Sequence, residues 1–176
     1  MAQWMPRRSE EHHMSTKKIT LSGLMVALAM ILSYLEAMIP FSFGIPGIKL
    51  GLANLVVLTA LYLFGPAQAL LISVVRIFLI SITFGSMAAL VYSLAGGILS
   101  FVVMLILSRI KGFSVIGVSV AGGVSHNIGQ LIAAALVVEN LNLLFYFPVL
   151  LAAGVITGLL IGIAVKAILP ALQKAQ

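Results

Sequence analysis

An all-α integral membrane bundle of six transmembrane helices is the fold this sequence predicts, on three observations. The 176 residues are 62% hydrophobic and only 8% charged, far from the roughly 45–50% and ~25% of soluble globular domains. The apolar residues fall into six runs that approach the roughly 20 residues a helix needs to cross a bilayer. Most Lys and Arg residues sit at the ends of those runs, as the positive-inside rule expects of a multi-span protein.

The runs cover 19–39, 50–64, 67–83, 86–107, 114–138 and 147–167. The first exceeds the 7–15 residues or so of a signal-peptide core and has no small-residue cleavage site after it. The second and third are short and separated only by Gly65-Pro66, a turn signal, so they are expected as two tilted or partly shielded spans. An even number of spans puts both termini on one side. That side holds Arg7, Arg8, Lys17, Lys18, Arg109, Lys111, Lys166 and Lys174, whereas the other holds Lys49 with Glu36 and Glu139 near it. Both termini are therefore expected in the cytoplasm, with the chain multi-pass in the cytoplasmic (inner) membrane. A single domain, 17–170, is expected between a flexible tail, 1–16, and a short C-terminal tail, 171–176. The net charge of +6 is read as orienting the spans, not as a nucleic-acid surface, and the His12–His13 pair as part of the tail.

Small residues predict close packing, because lipid supplies no hydrophobic drive between helices and backbones must approach directly. The fifth run has Gly117, Ala121, Ser125, Gly129 and Ala133 at every fourth position, and the sixth has Gly154, Gly158 and Gly162. Both ladders are expected in the internal seams of the bundle. The first run carries Ala29, Ser33 and Ala37, and nearer its start Gly23 and Ala27.

Ionisable and polar side chains at membrane depth are costly and usually face the bundle interior. Arg76 falls near the centre of the third run; it either pairs with Glu36, caps neighbouring carbonyls, or holds an anionic group in its planar fork. In the fifth run His126 and Gln130 are one turn apart on one face, with Asn127 about 100° round from His126. Gly122 and Gly123 lie one turn away and are expected to leave a gap beside this polar arc. Asn54, Tyr92 with Ser93, Lys49 and Glu36 fall in the same half of the membrane. Together they suggest a cup open to the outside, under the turn-rich loop 40–49.

Enzyme chemistry finds no footing. The chain has no cysteine, which removes disulfides, thiolate metal sites and cysteine nucleophiles. It has no aspartate, and its glutamates are Glu10, Glu11, Glu36 and Glu139, too dispersed to hold magnesium for phosphoryl or prenyl transfer. Ser125 and His126 are helix neighbours pointing in different directions, so they make no nucleophile–base pair. A phosphate-cradling glycine motif with its lysine is also missing. No cofactor and no metal are expected, and no ATP-driven engine within the chain.

The stretches KLGLANLVVLTALYLFG (49–65), SLAGGILS (93–100) and GGVSHNIGQL (122–131) resemble the small bacterial membrane family called Gx transporters, also labelled heptaprenyl diphosphate synthase component I. That family is similar to the substrate-capture (S) components of energy-coupling factor (ECF) transporters. The resemblance implies a six-helix protein that takes a vitamin or similarly scarce solute from outside. A separate transmembrane coupling protein and a pair of ATPases would supply the work. It also implies docking through small residues on the first helix, here Gly23 and Ala27, with Gly where such components typically carry Ala.

The expectation is thus an S component of an ECF-type ABC importer. Its substrate-binding residues would be Glu36, Lys49, Asn54, Arg76, Tyr92, His126, Asn127 and Gln130. Arg76 and Lys49 suggest an acidic or phosphorylated solute. The alternative is a non-catalytic membrane accessory subunit of an isoprenoid- or quinone-related enzyme.

Overall fold

The computed structural model describes residues 16–38 and 51–174. These form six α-helices: α1 (Thr16–Met38), α2 (Asn54–Phe64), α3 (Pro66–Phe84), α4 (Met87–Arg109), α5 (Val115–Val137) and α6 (Phe147–Lys174). A short 3-10 turn, Leu141–Tyr146, precedes α6. Residues 1–15 of the expected tail, residues 39–50, which include the expected loop 40–49 with Lys49, and residues 175–176 lie outside the described residues.

Local chemistry sets the helix boundaries. Pro66 opens α3, where its missing N–H costs nothing. Ser86 caps α4 by accepting the Ala89 N–H at 3.1 Å, and Ser114 caps α5 by accepting that of Gly117 at 3.1 Å. Asn140 does the same for the 3-10 turn, accepting the Asn142 N–H at 3.0 Å.

Five of the helices are long and apolar enough to cross a membrane; α2, with 11 residues, is the shorter one. At 1.5 Å per residue α2 is about 16 Å long, against a hydrocarbon core of about 30 Å. It starts later than the run at 50–64 suggests because residues 51–53 form a turn before it. Every residue from Ala53 to Leu61 except Leu55 is buried, so α2 is a half-length element shielded by its neighbours. Irregular backbone within a bundle is tolerated only under such cover, where other groups satisfy its N–H and C=O.

The helices pack in two sets. α1 lies against α3 and α2, while α5 packs most extensively on α6 and α4; α2 touches α6 and α3 meets α4 to join them. Glycines show how close the second set comes. A methyl group on Gly158 would stand 2.7 Å from Val120 Cα, and one on Gly162 would stand 2.7 Å from Ile116 Cα. One on Gly154 would stand 3.0 Å from the Gly123 carbonyl oxygen. The sixth-helix ladder is thus an internal seam, antiparallel to α5.

The α5 side of that seam differs from the expected ladder. It consists of Ile116, Ser119, Val120 and Gly123, not Gly117, Ala121 and Ser125. Ser125 turns its hydroxyl onto its own helix, donating to the Ala121 carbonyl at 2.7 Å. Of the expected five, Gly129 makes a close approach, to Ala95 and Gly96 of α4. A four-residue spacing marks a smooth stripe; which neighbour covers it depends on the rest of the bundle.

Candidate functional site

The polar groups converge where the backbone before α2 enters the bundle. Ala53, at the start of α2, brings no side-chain cap. The first N–H groups of the helix bond back within the turn, from Asn54 to the Gly51 carbonyl at 2.8 Å and from Leu55 to that of Leu52 at 3.1 Å. The two preceding N–H groups are taken by a carboxylate from another helix. Glu36 accepts from Gly51 through Oε1 at 2.5 Å and from Leu52 through Oε2 at 3.2 Å. α1 thereby anchors the turn before α2.

Arg76 completes this corner. It is 6% exposed, and its Nη1 donates to the buried Ser33 hydroxyl of α1 at 3.2 Å. The charge that acts on it is Glu36. Ser33 and Glu36 lie three residues apart and share one face of α1, so α3 presents its cation to the same stripe that holds the carboxylate. This contact directs Nη1 at α1, while Nε has no partner among the described residues.

On its other side the turn meets α5. Gly51 has φ +88°, a left-handed conformation that glycine adopts without strain. A methyl group there would stand 3.2 Å from Asn54 Nδ2 and 3.4 Å from His126 Cδ2. The opposite edge of the imidazole faces α4, where a methyl group on Gly96 would stand 3.2 Å from His126 Nδ1 and 2.6 Å from Gln130 Cγ. His126 is therefore held between Gly51 and Gly96. These glycines, and not Gly122 and Gly123, provide its space. Gly122 is closed off by Met104, whose Sδ would lie 2.7 Å from an added methyl group, and Gly123 presses on the Gly154 carbonyl.

The expected site residues thus divide. Glu36, Asn54 and His126 meet at Gly51, with Arg76 behind Glu36 and Gln130, fully buried, beside Gly96. Asn127 faces away from this group, donating from Nδ2 to the Leu150 carbonyl of α6 at 2.7 Å; its arc on α5 meets a different helix. Tyr92 is buried in an apolar cluster with Leu131, Ala134 and Leu150. Gly51 was not among the expected site residues, although a glycine just before a short helix is a readable signal. Buried polar atoms with no hydrogen-bond partner among the described residues include Asn54 Nδ2, Arg76 Nε and Asn127 Oδ1, and, away from this corner, the Ser22 and Ser100 hydroxyls. Groups of three or more His, Cys, Asp or Glu side chains able to hold a metal are absent among the described residues.

The family model described as heptaprenyl diphosphate synthase component I, also called Gx transporter, matches residues 25–168. The chain belongs to this family. No curated protein matches it. Among solved structures, this Gx transporter family member is similar to the S component of a bacterial ECF transporter. The TM-score is 0.55 at 17% identity, over 92% of this chain and 96% of the other. At that identity the likeness establishes a shared six-helix fold. The Gly23 and Ala27 face of the family member is exposed, and a methyl group on Gly23 would meet nothing within 4 Å.

Proposed function

We propose that this protein is the substrate-binding S component of an ECF-type importer and captures a small, scarce solute. The observation that carries this reading is the meeting of Glu36, Gly51, Asn54 and His126 from α1, the turn before α2, α2 and α5. Four separate segments place polar groups at one interior point of a bundle that shares the S-component fold. Bundle stability alone does not require this, since an apolar interior is the cheaper solution in a membrane. The unpartnered Asn54 Nδ2 supplies a donor for a solute at that point.

On this reading the solute enters from outside and both termini are cytoplasmic. The exposed Gly23–Ala27 face of α1 meets the transmembrane coupling protein, which works with the ATPase pair. The polypeptide has no catalytic role. A vitamin is one solute class compatible with this description.

Purification of the tagged protein from its native membrane in mild detergent tests the proposal. Recovery of a coupling protein and two ATPases supports it. The family description favours a second reading, an accessory subunit of an isoprenoid- or quinone-related enzyme. Recovery of such an enzyme without the coupling protein and ATPases would establish that reading instead.

A further inference from the structure

Positive potential at the site has two sources among the described residues, the Arg76 guanidinium and the N–H groups of Gly51 and Leu52 in the turn before α2. The two oxygens of Glu36 accept the two N–H groups, and Arg76 bonds through Nη1 to Ser33, one turn away on the same face of α1. A carboxylate held by two backbone N–H groups beside a guanidinium is the arrangement otherwise offered to an anionic ligand. Here the protein supplies the anion itself.

We propose that Glu36 is a specificity-determining residue: it occupies the anion position, so the site takes an uncharged solute bearing hydrogen-bond acceptors. Such an acceptor, a carbonyl, amide or ring nitrogen, would meet Asn54 Nδ2, which is buried beside Gly51 and His126 with no partner among the described residues. This replaces the acidic or phosphorylated solute expected from Arg76 and Lys49. The solute class rests on the S-component reading, whereas the occupation of the anion position by Glu36 does not.

Chemical rescue tests the occupation directly, with acetate and acetamide as probes and chloride as the ionic-strength control. Thermal unfolding of the full chain in detergent is followed for wild type, Glu36→Ala and Glu36→Ser. The wild type is expected to show no acetate-specific stabilisation. Glu36→Ala is expected to melt lower and to regain most of the lost Tm in acetate but not in acetamide. Should Glu36→Ala not fold, Glu36→Ser, which also vacates the anion position, carries the same acetate test.

Acetate stabilisation of the wild type as large as that of the variants would overturn the proposal. So would variants that respond to neither probe or equally to both. Association with a coupling protein is measured separately, so failure here is distinguishable from failure of the S-component reading.

Discussion

The Glu36 carboxylate of α1 accepts the Gly51 N–H at 2.5 Å, across 15 positions of sequence. The contact ties the last polar residue of α1 to the turn before α2, and Arg76 bonds to Ser33 one turn away on the same face of α1. Removing a buried charged group leaves its hydrogen-bond partners unsatisfied, at a cost of about 1–3 kcal/mol. Glu36→Gln and Arg76→Met are each expected to destabilise the fold on that scale. The double variant is expected to lose clearly less than the sum, because both groups act at the same face of α1. A double-mutant cycle from unfolding in mixed micelles measures this; strict additivity would mean that the two groups are independent.

Gly51 holds a left-handed backbone angle and has Asn54 and His126 against the position of a Cβ. Gly51→Ala is expected to cost about 1–2 kcal/mol from the backbone alone. It should also displace the Asn54 and His126 side chains. The checks are unfolding, and the chemical shifts of a labelled His126 ring. An unchanged ring environment would separate Gly51 from the site.

Two glycines at similar helical spacing should behave oppositely. Gly158 lies in the α5–α6 seam, where an added methyl group would stand 2.7 Å from Val120 Cα. Gly158→Ala is expected to cost about 1–3 kcal/mol through overpacking. Gly23 has open space around it, so Gly23→Leu should leave the Tm of the isolated chain unchanged while reducing recovery of the coupling protein. Melting curves and co-purification of both variants check the pair.

Much of this architecture is legible in the residues. Apolar run lengths give the helices, and Ser86, Ser114 and Gly65-Pro66 give several of their ends, because caps and turns are local chemistry. The polar character of the α5 centre is equally plain. What the helical wheel cannot give is which neighbour covers which arc. His126 and Asn127 are adjacent in sequence, yet one faces Gly51 and Gly96 while the other bonds to the Leu150 carbonyl. Likewise Gly122 and Gly123 suggest open space, but Met104 and Gly154 fill it. The Glu36–Gly51 tie depends on how the chain returns after α1, and backbone donors carry no signature in residue type.

The central claim is that the Asn54–His126 meeting point holds a solute. The most direct measurement is mass spectrometry of small molecules released on denaturing protein purified from its native membrane. Wild type would be compared with an Asn54→Ala, His126→Ala double variant of matched helix content. One uncharged, acceptor-bearing compound is expected to be released from the wild type and largely lost from the variant. The same compound at equal occupancy in both, or no specific compound from the wild type, would contradict the claim.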